Sequence, residues 1–221
     1  MIGHMSYHGM PSHYNHWSYG KTFERTHLNY NMGQSGLPYE MIINSNPSIA
    51  YLMMQNPLYL QILIMAHCVG HSDFFKNNRC FKDTDPDHVV SRMRNAKKRI
   101  QGYIEDPSIG QDKVEAFLDS LHAIKYQTNR YGIPRQTREE IKALEIKRFN
   151  AYKKKGLLLD YDDLETRRLL KPDHDMLSFF TEYYPDKFSN WQLDLFEIVK
   201  QDSWYFMPQI QTKILNEGWA S

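Results

Sequence analysis

His67 and His71 lie four residues apart at the end of an apolar run from Leu58 to Ala66. On a helix that spacing projects both imidazoles from one face, one turn apart. Metalloprotease helices hold zinc in this way and place a glutamate directly after the first histidine as general base. Cys68 stands in that place. The pair therefore offers two nitrogen ligands for zinc or another divalent transition metal, without the usual catalytic partner. A metal site needs at least one more protein ligand. Glu217, in Asn216-Glu217-Gly218-Trp219-Ala220, is the first candidate. His122, on the segment from Asp112 to Tyr126, and His16, in His16-Trp17-Ser18-Tyr19-Gly20-Lys21, are alternatives. Glu40 is a carboxylate in an apolar segment, which requires a partner such as Arg, Lys or a metal. It is the candidate catalytic base. Asp73 is the candidate acceptor for orienting a ligating imidazole. Each of these residues also has a plainer reading, as a core histidine bonded to backbone or as a surface carboxylate.

The elements that must position them are mostly helical. Residues 1–36 are rich in His, Tyr, Asn, Ser and Gly and read as an irregular N-terminal arm. The 37–221 remainder reads as one multi-helix core. Tyr39 to Asn44 is β-prone and bounded by turn formers, which predicts a short strand. Asn46-Pro47 and Asn56-Pro57 each predict a helix start, with Asn as N-cap and Pro at the first helical position. The second of these helices carries His67 and His71. Asp85-Pro86 opens a basic amphipathic segment, and apolar periodicity returns from Asp112 to Tyr126. Residues 129–160 read as a mobile charged excursion with one helix from Thr137 to Tyr152. Pro172-Asp173 and Pro185-Asp186 punctuate two further helices, and a last helix is expected from about Pro208. Helix starts outnumber strand signals, so the fold class is mainly α, an α+β chain with a minor short-stranded sheet.

Composition narrows the function classes. With 27 basic and 26 acidic residues the net charge is +1, so no global field favours nucleic acid or an anionic membrane. Arg92 to Arg99 and Lys153 to Lys155 read as solvated faces rather than a nucleic-acid surface. The run from Leu58 to Ala66 is interrupted by Gln61 and too short to span a bilayer. No secretory signal opens the chain. Cys68 and Cys80 are the two cysteines, which fits reduced thiols and a cytoplasmic setting. No GxSxG elbow, P-loop, dinucleotide GxGxxG or CxxC pair is present.

Several blocks, taken in order, resemble one family. They are Gly9-Met10-Pro11, His16 to Lys21, Tyr39-Glu40 through Pro47 with Ala50-Tyr51-Leu52, and Ala66-His67 with His71. Asp73 to Asn78, Tyr205-Phe206, Pro208-Gln209, Gln211-Thr212-Lys213 and Asn216 to Ser221 complete the set. The chain is similar to the SpoVR family, the stage V sporulation protein R family of bacteria. The resemblance implies a link to spore cortex formation. It also implies the core of a longer protein or a short form, because family members usually carry an additional N-terminal helical segment and continue past the Glu-Gly-Trp-Ala-Ser block.

Two functional expectations follow. In the first, the chain is a metal-dependent hydrolase acting on an amide or peptide bond of the cell wall, with metal on His67, His71 and Glu217 and with Glu40 as base. In the second, it is a non-enzymatic scaffold that binds protein partners, its His, Asn and aromatic blocks forming a buried polar network.

Overall fold

The computed structural model describes residues 10, 12–33, 40–128, 140, 143, 147 and 175–221. The chain is mainly α, with one small antiparallel sheet among the described residues. In chain order, α1 is Trp17–Asn31, β1 is Glu40–Ile43, β2 is Ile49–Leu52, α2 is Leu58–Asn77 and α3 is Val89–Glu105. They are followed by α4 (Gln111–Ile124), α5 (Met176–Tyr183) and α6 (Asn190–Ala220).

The largest core forms where α3, α4, α5 and α6 turn their apolar faces inward. Ala96 and Ile100, Val114, Leu118 and Leu121, Leu177, and Leu195 to Val199 meet there, with Tyr14 and Tyr19 from the N-terminal region. Each helical contribution recurs at three- or four-residue spacing, as one buried stripe requires. A second cluster joins Met10, Ile43, Val89, Met93, Tyr205 and Phe206. It fixes the end of β1 against the middle of α6. A third packs Phe74 and Phe75 of α2 on Phe81.

Four sequence expectations are corrected. Residues 17–31, expected to be irregular, form α1. Its signal was hidden because Tyr19 is its one buried residue. Local polar bonds support it instead: His16 Nδ1 caps Ser18 N, Thr22 Oγ1 bonds Ser18 O and Thr26 Oγ1 bonds Thr22 O. Asn46-Pro47 opens no helix. The bond is cis, and the chain turns into β2, which pairs Glu40 with Leu52 and Ile43 with Ile49. The Asn46 N–H bonds Pro86 O and its side chain bonds Asp87, so it is not free to cap a helix.

Pro185 starts a 3₁₀ turn through Lys187, and the long helix begins at Asn190 behind a Ser189/Gln192 capping box. Nor does Pro208 start the last helix. α6 runs through it for 31 residues. Proline removes one helical N–H and costs about 3 kcal/mol in a helix interior. Burial of ten α6 side chains, from Leu195 to Thr212, opposes that cost. Gln209 also donates its side-chain amide to Tyr205 O. Of the expected charged excursion, Glu140, Ala143 and Lys147 are helical, and the rest of 129–160 lies outside the described residues, as does Pro172-Asp173.

Candidate metal centre

Three elements bring their side chains to one point. β1 supplies Glu40 as its first residue, the third and fourth turns of α2 supply His67 and His71, and the last turns of α6 supply Asn216, Glu217 and the Ala220 carbonyl. The two helices run antiparallel, so the i,i+4 pair 67/71 faces the i,i+4 pair 220/216. They can approach closely because Gly70 has no side chain. A Cβ there would lie 2.9 Å from Ala220 Cα. Trp219 Nε1 donates to Asp73 Oδ2 at 3.0 Å and ties the last turn of α6 to α2.

Within this frame each histidine is held through Nδ1. His67 Nδ1 lies 3.0 Å from the Ala220 carbonyl oxygen, and His71 Nδ1 lies 2.9 Å from Asn216 Oδ1. Both partners are acceptors, so both Nδ1 atoms carry the proton. The two Nε2 atoms are left pointing at each other, 2.9 Å apart. Two imidazole lone pairs at that distance repel unless a positive charge sits with them, either a proton on one ring or a metal ion between them. Carboxylates surround the same point. Glu40 Oε1 is 3.6 Å from His67 Nε2, and Glu217 Oε2 is 3.8 Å from His67 Nε2 and 3.7 Å from His71 Nε2.

These separations can be compared with a metal's demands. Ligand bonds of about 2.0–2.2 Å in a tetrahedral set place neighbouring donor atoms roughly 3.3–3.6 Å apart. The observed 2.9, 3.6, 3.7 and 3.8 Å bracket that range. Glu40, His67 and His71 place one donor atom each within 4.8 Å of one another, the metal-sized cluster found among the described residues. The burial is graded: the His71 side chain is 5% exposed, Glu40 23%, His67 26% and Glu217 54%. The centre therefore has a closed side at His71 and an open side at Glu217.

Of the other sequence candidates, neither His122 nor His16 belongs to this cluster. They meet each other, with ring centroids 4.3 Å apart, in a second polar group. There Tyr14 Oη lies 2.6 Å from His122 Nε2, and His16 Nε2 lies 3.1 Å from Asp119 Oδ1. Burial lowers the His16 pKa, against the opposing pull of Asp119 and Glu115. Deeper in the same region His13 Nε2 pairs with Asp202 at 2.9 Å. Asp73 does not orient either imidazole. Its oxygens are taken by Trp219 and Asn77, because the helix turns Asp73 away from the cluster. Asn216 and the Ala220 carbonyl do that work, and the sequence reading missed both. The usable signal for Asn216 was its place as a polar side chain directly before Glu217. A backbone carbonyl leaves no signal of its own. Cys68 is buried beside Glu40, and burial first, then that carboxylate's charge, raises its thiol pKa. A raised thiol pKa leaves less of the thiolate that a nucleophile or soft ligand needs.

The family model for SpoVR like protein matches residues 1–221. The chain belongs to the SpoVR family. A curated relative, "Uncharacterized protein YcgB" of Escherichia coli (strain K12), is 40% identical over 226 residues, covering 96% of this chain and 44% of the relative. This SpoVR chain thus spans less than half the length of that relative. No solved structure matches it. None of its described helices is long and apolar enough to cross a membrane.

Proposed function

We propose that this SpoVR-family chain binds a divalent transition metal, zinc or iron, through His67, His71 and Glu40, and that the centre hydrolyses an amide or peptide bond. The observation that carries the reading is the opposed pair of Nε2 atoms, 2.9 Å apart with both Nδ1 atoms committed to oxygen acceptors. Two imidazoles and two carboxylates suit either ion. A metal ion held there supplies a lowered pKa for a bound water.

The protein's own groups do the rest. The Ala220 carbonyl and Asn216 fix the tautomer and orientation of the two rings. Glu40, the less exposed carboxylate, is the anchored third ligand. Glu217 stands on the open side and receives the water's proton. This exchanges the roles of the two carboxylates relative to the sequence expectation. The base that Cys68 displaced from α2 is then supplied by α6. The family's association with spore cortex formation makes cell-wall amides the substrate class to try first.

A specific observation also favours the scaffold reading. All four imidazole nitrogens of His67 and His71 have a partner within the protein. If one ring is protonated, Glu40 and Glu217 balance its charge and the network closes without a metal. Elemental analysis of untagged protein separates the two. The metal reading expects stoichiometric zinc or iron, lost in His67→Ala and kept in Glu217→Gln with hydrolysis abolished. Metal-free protein that loses stability in His67→Ala leaves the scaffold reading standing.

A further inference from the structure

Ser18, His16 and Asp119 form a second constellation that shares no residue with the metal centre. Ser18 Oγ lies 2.7 Å from His16 Nδ1, and His16 Nε2 lies 3.1 Å from Asp119 Oδ1. The backbone fixes the tautomer. The Ser18 N–H donates to Nδ1 at 3.3 Å, and an amide N–H can only donate. Nδ1 is therefore the lone-pair nitrogen, the Ser18 hydroxyl donates to it, and the ring proton sits on Nε2 beside the carboxylate. That Nε2 is out of reach of solvent, and Asp119 approaches it off the straight line of a hydrogen bond. Such loose alignment is common in catalytic groups before substrate binds. Trp17 Nε1 donates to the same Asp119 oxygen and holds it in place. Burial lowers the His16 pKa, which leaves the Nδ1 lone pair free at neutral pH. Ser18 also lines a cavity of about 550 Å³ along α1, within the rough 300–1,000 Å³ span of small-molecule sites. Lys21, Thr22 and Arg25 line it too, at three- and four-residue spacing from Ser18 on one helix face.

We propose that Ser18 is a nucleophile, with His16 as its base, and that it cleaves esters bearing a carboxylate or phosphate held by Lys21 and Arg25. Nucleophile, base and orienting carboxylate are the parts that acyl transfer needs. Ser18 Oγ attacks the acyl carbonyl as its proton passes to His16 Nδ1. The tetrahedral adduct collapses, the bond to the leaving oxygen breaks, and that oxygen takes the proton from Nδ1. Water then attacks the acyl-serine and gives a proton to Nδ1. Ser18 Oγ leaves and recovers that proton, and the acid is released. In hydrolase triads the base turns Nε2 to the serine and Nδ1 to the carboxylate. Here the two nitrogens are exchanged, which leaves the proton balance the same. His16 touches the reacting atoms, whereas Asp119 acts through it and is a positioning residue. At 1.5 Å per residue, Lys21 and Arg25 stand about 4.5 and 10.5 Å along the axis from Ser18. Two cations at those heights suit an anionic group a few bonds from the scissile carbonyl.

Diisopropyl fluorophosphate on the full 221-residue chain tests this, with the label located by peptide mass spectrometry. The hydroxyl displaces fluoride, so one diisopropylphosphoryl group is expected on Ser18 and none in Ser18→Ala. His16→Asn keeps a side-chain oxygen to cap α1 and should slow labelling by roughly 100-fold or more. Asp119→Asn should slow it by at least roughly tenfold, with part of the rate recovered in Asp119→Glu. Circular dichroism of each variant should match the parent. A chelator should leave labelling unchanged, which separates this site from the metal centre. p-Nitrophenyl hemisuccinate should be cleaved with kcat/KM roughly tenfold above p-nitrophenyl acetate, a preference lost in Lys21→Gln/Arg25→Gln. Labelling no faster than in urea-unfolded protein, a label on other residues, equal rates in His16→Asn, or loss of labelling with chelator overturns the nucleophile. The three residues would then serve only to cap α1. Equal rates on the two esters overturn the anionic substrate class.

Discussion

His67 and His71 face each other through Nε2 at 2.9 Å, and the groups that hold them there lie on a helix about 150 residues further along the chain. The histidine spacing puts both rings on one side of α2. It does not choose which nitrogen carries the proton. That choice belongs to the last turn of α6, through Asn216 and the Ala220 carbonyl. The chemistry of the pair is therefore controlled by how closely the two helices approach.

If the proposed metal centre forms, Asn216→Ala should weaken its zinc binding by roughly 10- to 100-fold, the usual effect of removing the group that orients a ligating histidine. The His71 ring would then be free to turn or to change tautomer. Competition titration against a chromophoric chelator measures this. An affinity equal to that of the parent would mean that packing alone holds His71.

The helix approach itself can be tested with two glycines. Gly70→Ala places a methyl group 2.9 Å from Ala220 Cα, a backbone atom that moves only if α6 moves. Overpacking costs about 1–3 kcal/mol, against a helix-propensity gain of up to about 1 kcal/mol. A net loss of about 1 kcal/mol and weaker metal binding are expected. Gly102→Ala on α3 meets nothing within 4 Å, so propensity alone acts and the variant should gain about 0.5–1 kcal/mol. Chemical denaturation of both reads the opposite signs. A neutral or stabilising Gly70→Ala would refute the tight contact.

Tyr205 is 1% exposed, and its hydroxyl donates to the Asn44 carbonyl at 3.0 Å. This bond ties the middle of α6 to the chain just after β1, four residues from Glu40. Tyr205→Phe leaves a buried carbonyl short of a donor, which costs about 1–3 kcal/mol. A lower midpoint in urea with an unchanged slope is expected. A variant as stable as the parent would show that Asn44 finds another donor.

How much of this was legible depends on where each signal is stored. The α2 histidine face, the strand at Glu40 and the candidacy of Glu217 could be read directly, because residue type and local spacing encode them. The helix at 17–31 could not, since side-chain bonds from His16, Thr22 and Thr26 support it in place of an apolar stripe. Pro208 misled because the local penalty of proline is visible in a sequence, while the burial that overrides it is a tertiary property. His122 and His16 looked like ligands by type alone. What separates them from His67 and His71 is which elements pack together, and no spacing within one helix records that.

His16 gives the chain a pH dependence whose sign is fixed by burial. It is 9% exposed, and its pKa lies below the ordinary 6.5 because burial outweighs the opposing pull of Asp119 and Glu115, with Lys125 adding to the lowering. Between the lowered value and 6.5 the folded state keeps the ring neutral while the unfolded chain protonates it. The unfolded state then binds more protons, so stability rises with pH across that window and is lost as pH falls through it. His16→Asn keeps a side-chain oxygen to cap α1 and removes the titration. Its unfolding free energy should therefore fall less steeply below pH 6.5, by at most about 1.4 kcal/mol per pH unit, the contribution of one proton. Urea denaturation of both proteins from pH 7 downward measures the two slopes. Equal slopes would mean that Asp119 and Glu115 offset burial fully, and that His16 titrates as it does in the unfolded chain.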